Sequence, residues 1–421
     1  MIYTDGKRWG FKVAALGMPE NVQMVWRILQ DAAPTYLVGG AVRDLLRGVA
    51  VHDWDLATAL APESVSAIAA RYGWRTQALG MRYGTITVIV SQSLSLEVAT
   101  LRMEGDYNDQ RHPSQVKYGV DIVQDLGRRD FTVNAMALTW TGSLIDPFGG
   151  QEDLQRHLLK AVGLPTARFR EDPLRMWRAF RFLSQLGRDW SLDETVNHAI
   201  GELAEETKTT SYERRREEFW RILQSVDPLP GLNGLRNSGL WSYWWSGFHP
   251  SSQDWKTSER RVAQFQDPVL RLTALVWCCD AEVVTKWLTQ GRFSNLVKRR
   301  VQSLLAIRRV DWTVLPVQEV RSLARHHGVD VLLDGYKLAG SSANPSVTLE
   351  LYRLADNPQC LTLACSGQDI MAWAEIEPGP EVRHWISLLE YWIDQDPVRN
   401  NRQALQAYVV QKASNARKFG R

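Results

Sequence analysis

The sequence predicts an α+β protein in which a mixed β-sheet domain is followed by a long helical region. Two observations predict this fold class. Short β-branched or aromatic runs bounded by glycine, such as residues 36–38 and 85–90, alternate with helical patterns in the first 150 residues. Beyond them strand signals nearly vanish, and apolar residues recur at helical spacing for most of the remaining chain.

The predicted elements follow in order along the chain. The first region has a strand at 36–38, helices at 41–46 and 62–72, and a strand at 85–90, and it closes at a turn-rich segment, 146–150. In the second region Asp172 and Pro173 predict a helix start, because Asp can cap a helix and Pro fits its first turn. Further helical patterns are found at residues 174–183, 212–223, 268–278, 281–288 and 382–393. Loops rich in Pro, Gly and Ser are predicted near residues 228–234 and 340–345.

Length and charge set outer limits. The chain has 421 residues, which is enough for about two to four domains. The 50 Lys and Arg against 47 Asp and Glu give a net charge of +3, which neither demands nor excludes a nucleic-acid partner. The first thirty residues lack a signal-peptide pattern, and no uncharged apolar run of about eighteen residues occurs. We therefore expect a cytoplasmic protein without a membrane span.

We interpret the cysteines and three of the tryptophans as structural residues. The four cysteines lack zinc-site spacing, so buried free thiols are expected. Tryptophan is abundant, with 18 residues, including Trp241, Trp244 and Trp245. We interpret these three as core or interdomain anchors, with base stacking as the alternative.

A pair of acidic residues, Asp53 and Asp55, flanks Trp54. On a strand, residues two apart point to the same face, so both carboxylates can converge on one site. Two hard oxygen ligands held this closely suit Mg²⁺, which commonly takes one or two carboxylates plus substrate phosphates. A solvated strand edge is the alternative for an isolated pair of this kind.

A glycine-containing segment precedes the acidic pair: residues 38–44 read Val-Gly-Gly-Ala-Val-Arg-Asp. Glycine lets backbone amides approach a phosphate closely, and a helix N-terminus carries partial positive charge. Arg43, one turn into the predicted helix, is placed to grip a triphosphate. An ordinary strand–turn–helix with a surface arginine is the alternative for this segment alone. Glu97, farther along, is a candidate third acid, although its alternation with Leu96 and Val98 by itself favours solvent.

Four motifs in order carry a family resemblance: Gly-Gly-x-Val-Arg-Asp at 39–44, the Asp53/Asp55 pair, Arg-Arg-Asp-Phe-Thr-Val-Asn-Ala-Met at 128–136, and Glu-Asp-Pro-Leu-Arg at 171–175. Together they resemble the class II CCA-adding enzymes and bacterial poly(A) polymerases, in the nucleotidyltransferase superfamily that includes DNA polymerase beta. The match covers about residues 38–223. It weakens beyond them, although segments 367–370 and 378–380 resemble the tail of the CCA-adding branch.

The resemblance implies roles for individual residues. Asp53 and Asp55 match the catalytic, metal-binding carboxylates, with Mg²⁺ as cofactor and Glu97 at the place of a third acid. Other positions match nucleotide-binding residues: Gly39, Gly40, Arg43, Arg129, Asp172, Arg175, Arg178 and Arg181. The Ser-Tyr-Glu-Arg segment at 211–214 resembles a later motif that supports the neck, which we interpret as structural.

Asp172 and Arg175 match the pair that reads the incoming base, and their chemistry suits that role. Arg175 offers donors to O2 and N3 of cytosine or to N1 of adenine, and Asp172 accepts from the exocyclic amine that both bases carry. Uracil and guanine would each leave a polar group unpaired, at a cost on the order of 1–3 kcal/mol. The alternatives are an N-cap for Asp172 and a solvated helix face for the arginines.

The predicted activity is addition of CCA to tRNA 3′ ends without a template, with CTP and ATP as substrates and pyrophosphate as product. Residues 103–113 are polar and predict a mobile loop. In the family, a loop at this place looks necessary for switching from C to A addition and is shortened in enzymes that add only CC. Its full length therefore favours complete CCA addition. A-adding and CC-adding enzymes, poly(A) polymerases and a non-catalytic RNA-binding relative stay open as alternatives.

The resemblance also implies a domain order. We predict a catalytic nucleotidyltransferase head at 1–150, a helical neck with the base-reading motif at 151–225, a helical body at 226–335 and a tRNA-binding helical tail at 336–421. An HD phosphohydrolase domain is not expected, because His326 and His327 lack a wider metal-ligand set. A homodimer is left open.

Overall fold

The structure is a computed structural model, and it describes residues 17–80, 84–92, 94–104, 116–119, 121–245, 247, 250–340 and 344–419. The mobile loop predicted at 103–113 lies almost wholly outside these residues. The chain divides into two compact units, Met1–His249 and Pro250–Arg421. This division does not test the predicted four-domain boundaries, which stay predictions.

The strands of the described residues all belong to the first unit. They are β1 Thr35–Val38, β2 Asp55–Thr58, β3 Arg75–Gly80, β4 Thr85–Ile89, β5 Ser95–Thr100, β6 Arg102–Glu104, β7 Val116–Tyr118, β8 Ala137–Leu138, β9 Leu144–Ile145, β10 Leu158–Leu159 and β11 Ser191–Leu192. Seven of them form a mixed sheet in the order β3-β4-β5-β2-β1-β8-β9. Its pairs are antiparallel except for β2 with β5, which run parallel. Two small ribbons, β6-β7 and β10-β11, complete the β-structure described.

The helices of the first unit surround the sheet and extend beyond it. They are α1 Glu20–Ala32, α2 Gly40–Arg47, α3 Pro62–Arg71, α4 Ile122–Gly127, α5 Gly150–Gln155, α6 Pro165–Glu171, α7 Leu174–Leu186, α8 Glu194–Leu203, α9 Tyr212–Gln224, α10 Leu229–Asn237 and α11 Leu240–Trp244. Short 3₁₀ turns lie at Thr132–Asn134 and Ala204–Thr209.

The central strands β1 and β2 contribute buried residues to both faces of the sheet, because neighbouring residues on a strand point to opposite sides. Leu37 and Leu56 face one side, where they join a core with α1 and α3. Val38 and Ala57 face the other side, where they pack with residues of α4. The predicted strands at 36–38 and 85–90 are confirmed by β1 and β4. The α+β fold class is confirmed by the mixed sheet and the helices that follow it along the chain.

Helix α7 is the centre of the helical part of the first unit, and it packs against both α9 and α10. The loop predicted near 228–234 is wrong, because these residues begin α10. Its glycines are packing residues: a Cβ on Gly231 would lie 2.6 Å from the carbonyl oxygen of Phe180, and one on Gly234 would lie 2.1 Å from the Phe180 ring. The two glycines therefore allow α10 to approach α7 closely.

Tryptophan packing follows the anchor interpretation. Trp241, Trp244 and Trp245 are all buried, and the first two contact the Phe219 ring edge-on. Trp244 also contacts Trp177 of α7, with ring centroids 5.1 Å apart. These rings are core residues and are not displayed for base stacking.

The second unit is helical throughout its described residues. Its helices are α12 Ser252–Val262, α13 Pro268–Val276, α14 Ala281–Gln290, α15 Asn295–Ala306, α16 Val317–His327, α17 Val329–Ala339, α18 Pro345–Asp356, α19 Gly367–Ala374, α20 Pro380–Gln395 and α21 Arg402–Phe419, with 3₁₀ turns at Pro358–Leu361 and Pro397–Arg399. No helix in the described parts of the chain combines the length and the apolar character that crossing a membrane requires.

Side-chain contacts within the second unit tie its helices together. Arg321 and Arg325 of α16 pair with Glu350 of α18 and Asp394 of α20, at 2.6 and 2.5 Å. The four cysteines are free thiols, as predicted, but none is fully buried: Cys278 is exposed and the others are half-buried.

Candidate active site

A cavity of about 1300 Å³ lies within the first unit, beside the edge of the sheet where β2 begins. All the site residues predicted from the sequence line it: Gly39, Gly40, Arg43, Asp53, Asp55, Glu97, Arg129, Asp172, Arg175, Arg178 and Arg181. The structure therefore brings together residues from four separate motifs. Their individual roles stay predictions, because no bound ligand is present.

The acidic corner consists of Asp53, Asp55 and Glu97. Asp55 is the first residue of β2, and the parallel pairing of β2 with β5 places it directly beside Glu97. Asp53 does not lie on a strand, as the sequence had suggested, but in the irregular segment just before β2. Burial, together with the charges of Glu97 and Asp53, raises the pKa of Asp55 to about 6, although Arg129 opposes the rise. The corner is therefore an arrangement of like charges that a cation would stabilise.

Asp53 and Asp55 have the chemistry for an Mg²⁺ site. Among the residues that the structure describes, no three or more acidic, His or Cys side chains form a complete metal cage. Mg²⁺ rarely uses such a cage, since it keeps waters and shares one or two carboxylates with substrate phosphates. The raised pKa of Asp55 shows that its negative charge is under-compensated in the protein alone. Two carboxylates and an uncompensated charge fit an ion that arrives with a nucleotide.

The predicted phosphate cradle forms around Gly39 at the start of α2. Gly39 has a φ of +72°, and a Cβ there would lie 3.0 Å from Nη1 of Arg129 and 3.6 Å from Oδ2 of Asp55. Glycine is thus required both by the backbone conformation and by the close approach of two site residues. No described side chain caps the first turn of α2, and Gly39 and Gly40 line the cavity, so the amides of this turn are available as anion donors.

Arg43 and Arg129 are both anchored by neighbours. Arg43 donates Nη1 to Oδ1 of Asn134 at 2.7 Å and two further bonds to Asp44 at 2.9 and 3.0 Å. Arg129 donates Nη2 to Oδ2 of Asp125 at 3.3 Å. Burial by itself would raise the pKa of Asp125, but Arg128 and Arg129 outweigh it and hold that pKa below its usual value. Both guanidinium groups are therefore fixed before any ligand binds.

A second part of the cavity lining is an arginine wall, defined as Arg175, Arg178 and Arg181 of α7 with Arg214 of α9. Each guanidinium has a carboxylate partner, at N···O distances of 2.5 to 2.8 Å. The pairs are Arg175–Glu171, Arg178–Asp130, Arg181–Glu218 and Arg214–Asp172. The wall is thus a set of positive groups whose orientation is fixed by ion pairs.

Two pKa shifts follow from this wall. Burial tends to raise the pKa of Asp130, but Arg178 and Arg175 overcome it and lower that pKa to about 2. Burial and the charge of Arg178 lower the pKa of Arg181 to about 10, while Glu218 acts in the opposite direction. The wall therefore presents guanidinium groups to the cavity that are already paired with carboxylates.

Asp172 sits between α6 and α7, where it has two kinds of contact. Its Oδ1 accepts from the backbone N–H of Leu174 at 3.1 Å, but the N-cap residue of α7 is Pro173, and Asp172 is the C-cap residue of α6. Both carboxylate oxygens also accept from Arg214. These contacts still leave the carboxylate able to accept from a ligand, since Oδ1 accepts two bonds but Oδ2 accepts only one.

Sequence reasoning missed the residues that hold the predicted ones in place. They are Asp125, Asp130, Asn134, Glu171, Arg214 and Glu218. A signal existed for four of them: Asp130, Asn134 and Glu171 lie inside the four motifs, and Arg214 lies in the 211–214 segment that we interpreted as structural. Nothing in the linear pattern paired Glu218 with Arg181, because that contact depends on how α9 packs against α7.

Two models of known protein families match this chain, and each covers a different region. The model "Poly A polymerase head domain" matches residues 35–160, and the model "Probable RNA and SrmB- binding site of polymerase A" matches residues 189–250. The first match contains the acidic corner, Arg43 and Arg129. The arginines of α7 fall between the two matches, and Arg214 lies in the second.

Curated relatives match the chain along nearly its whole length. A CCA-adding enzyme of Geobacillus sp. (strain WCH70) is 32% identical, covering 94% of this chain and 96% of its own. The corresponding enzyme of Streptococcus pneumoniae (strain CGSP14) is 30% identical, covering 94% and 98%. Similarity at this level extends to both units.

A solved structure has the same fold. The Bacillus stearothermophilus CCA-adding enzyme in complex with CTP aligns with a TM-score of 0.76 and 28% identity, covering 95% of this chain and 98% of that one. The Thermotoga maritima CCA-adding enzyme complexed with tRNA_CCA aligns with a TM-score of 0.68 at 19% identity, covering 96% and 100%, which supports the fold alone.

Proposed function

The chain belongs to the CCA-adding enzymes, and from this premise we propose that it adds C, C and A in turn to the 3′ end of tRNA, using CTP and ATP and releasing pyrophosphate. The observation that carries the proposal is the cavity itself. Its lining includes both an acidic corner suited to a metal ion and an arginine wall suited to a triphosphate and a base, which supports the proposal.

The reaction joins the tRNA 3′ hydroxyl to the α-phosphate of the nucleotide, and the bond from that phosphate to pyrophosphate breaks. Asp53 and Asp55, with Glu97 beside them, would hold Mg²⁺, as one ion or two. Bound there, Mg²⁺ supplies charge neutralisation for the triphosphate and lowers the pKa of the attacking hydroxyl. Arg43, Arg129 and the amides at the start of α2 hold phosphate oxygens, which fixes the nucleotide for attack.

Base choice is the task of Asp172 and Arg175 in this proposal. Arg175 donates to ring acceptors of cytosine or adenine, while Asp172 accepts from their exocyclic amine. Both side chains line the cavity and are held there by ion pairs, which supports a preformed reading site. Arg178 and Arg181 contribute positive charge next to that site, and each retains an acidic partner.

Several narrower assignments belong to the same proposal. We place the enzyme in the cytoplasm, where tRNA is matured, and assign tRNA binding to the helical tail. Addition of A only, addition of CC only and polyadenylation are less favoured. The relatives that match nearly the whole chain are named CCA-adding enzymes. A homodimer is tested by light scattering of the purified protein.

The test is nucleotide incorporation by the purified full chain with Mg²⁺. We expect transcripts of tRNA ending before CCA, after C or after CC to gain only the missing nucleotides, from labelled CTP and ATP. Asp53→Ala should abolish incorporation, whereas Asp31→Ala, an exposed change on α1 outside the cavity, should not. Long A tails on unrelated RNA would identify a poly(A) polymerase instead, and no incorporation at all would contradict the proposal.

A further inference from the structure

Arg214 makes a two-point contact with Asp172. Its Nη1 donates to Oδ1 at 3.2 Å and its Nη2 donates to Oδ2 at 2.8 Å. Arg214 lies in the first turn of α9, whereas Asp172 lies between α6 and α7, and both line the cavity. Two parallel N–H···O bonds fix the plane of a carboxylate as well as its position, which a single bond does not.

Arg175 has a separate acidic partner. It donates Nη1 to Oε2 of Glu171 at 2.8 Å and Nη2 to the backbone oxygen of Arg128 at 3.0 Å. Glu171 is itself held by Arg168, at 2.6 Å. Asp172 and Arg175 are close in the chain and opposite in charge, yet each is bound by a different third residue.

We propose that Arg214 is a positioning residue that determines nucleotide specificity, because it fixes the Asp172 carboxylate toward the incoming base and keeps it from pairing with Arg175. This inference rests on the proposed function, in which Asp172 accepts from the exocyclic amine of C or A. If Asp172 and Arg175 formed an ion pair with each other, Asp172 would have no free acceptor for the base and Arg175 would have fewer free donors. Arg214 and Glu171 together prevent that pairing.

Discrimination against uracil depends on the same rigidity. The carbonyl oxygen O4 of uracil occupies the place of the cytosine amine, so it would face an oxygen of Asp172. A fixed carboxylate cannot turn away from that repulsion, and the site rejects uracil through the unpaired acceptors. A carboxylate released from Arg214 can rotate, so the penalty against UTP falls together with the affinity for CTP.

The experiment compares Arg214→Gln and Arg214→Lys with the parent chain on tRNA ending before CCA, measuring kcat and KM for CTP and UTP. For Arg214→Gln we expect KM for CTP to rise about tenfold and the UTP:CTP efficiency ratio to rise about tenfold, with a smaller change in kcat. Lysine keeps the charge but makes one contact, so Arg214→Lys should restore part of the affinity and less of the discrimination. The matched control is Arg170→Gln, which removes an exposed guanidinium two residues from Asp172 and outside the cavity.

A double-mutant cycle separates positioning from general support. If Arg214 acts through Asp172, adding Arg214→Gln to Asp172→Asn should change UTP discrimination little further. Parental KM and parental discrimination in both Arg214 variants, with only a lower Tm, would overturn the inference and leave a structural residue. Should Arg214→Gln fail to fold, the lysine variant decides on the same two readouts.

The outcomes also separate this inference from the proposal beneath it. A parent chain that incorporates no nucleotide contradicts the proposed function. An active parent whose discrimination is unaffected by Asp172→Asn contradicts the base-reading assignment, and the inference fails with it. If the parent is active and Asp172→Asn relaxes its discrimination against UTP, but the Arg214 variants discriminate as the parent does, only the proposed role of Arg214 is contradicted.

Discussion

The arginine wall and the acidic corner of the cavity differ in how their charges are compensated. In the arginine wall each guanidinium pairs with a carboxylate supplied by the protein, and Arg181 with Glu218 is almost fully buried, at 7% and 6% side-chain exposure. In the acidic corner Asp55 lies beside Glu97, and burial together with the charges of Glu97 and Asp53 raises its pKa. The carboxylates of the wall have partners within the protein, whereas we propose that a cation compensates the carboxylates of the corner.

This difference indicates which charged groups raise the free energy of unfolding and which lower it. The Arg181–Glu218 pair of the wall joins α7 to α9 and is buried, so breaking it leaves a buried charge. Removing a charge from the corner relieves repulsion instead. Substitutions on the two sides should therefore change the free energy of unfolding in opposite directions.

The largest effect is expected from Glu218→Ala in the wall. Arg181 would be left buried without its carboxylate partner. Its pKa, about 10 with Glu218 present, would fall further, because Glu218 is one of the groups that raise it. Breaking a buried pair in this way lowers the free energy of unfolding by about 3–5 kcal/mol. Urea unfolding of the full chain, followed by tryptophan fluorescence, measures the loss.

The matched control for that change is Glu205→Ala, which removes the acid of an exposed pair with Lys208. We expect it to leave the unfolding midpoint unchanged. Equal destabilisation by the two substitutions would mean that burial of the wall contributes nothing, and the comparison between the two sides would lose its basis.

A smaller effect of opposite sign is expected from Asp55→Asn in the metal-free protein. The pKa of Asp55 is raised from 3.8 to about 6 on folding, so the folded state disfavours the charged form. The cost is absent below about pH 4, develops between pH 4 and 6, and is complete above pH 6. Asp55→Asn should therefore stabilise the protein by about 1–3 kcal/mol at pH 8 and have little effect at pH 4.

Unfolding curves at the two pH values, with a chelator present, check this prediction. A stabilisation of the same size at pH 4 would assign the effect to hydrogen bonding or packing of the amide, and the charge argument would fail. Loss of nucleotide addition in the same variant is expected, because the group that destabilises the protein is the one proposed to bind the metal.

The smallest effect is the response of the parent chain to Mg²⁺. An ion bound only by the folded state at ten times its dissociation constant stabilises it by about 1.4 kcal/mol. Asp55→Asn should reduce or abolish this shift in Tm. Sodium chloride at matched ionic strength is the control for screening, and an equal shift with either salt would count against a site in the acidic corner.

Much of the fold was predictable because it depends on local patterns. The strands at 36–38 and 85–90 and the helix after Pro173 follow from periodicity and capping. The helix α10 was not predictable in this way, since its Pro and Gly content is typical of a loop. Gly231 and Gly234 are favoured there by contact with Phe180, which lies on a different helix and leaves no trace in the local sequence.

The same distinction applies to the site. The spacing of Asp53 and Asp55, and the glycines before Arg43, are local patterns that predict one side of the cavity. The partners of the arginine wall were less accessible, because Glu218 and Arg214 reach Arg181 and Asp172 only through the packing of α9. Pairing between distant segments carries no period and no fixed offset, so a single sequence does not reveal it.

The parallel pairing of β2 with β5 also determines when the acidic corner can exist during folding. A parallel neighbour requires a crossover connection, and here α3 and the β3-β4 hairpin must be in place before Asp55 and Glu97 become adjacent. Contacts between such distant segments form late because the intervening chain must first be ordered. A partly folded chain in which β2 and β5 have not yet paired therefore lacks the adjacent acids on which the proposed metal site depends.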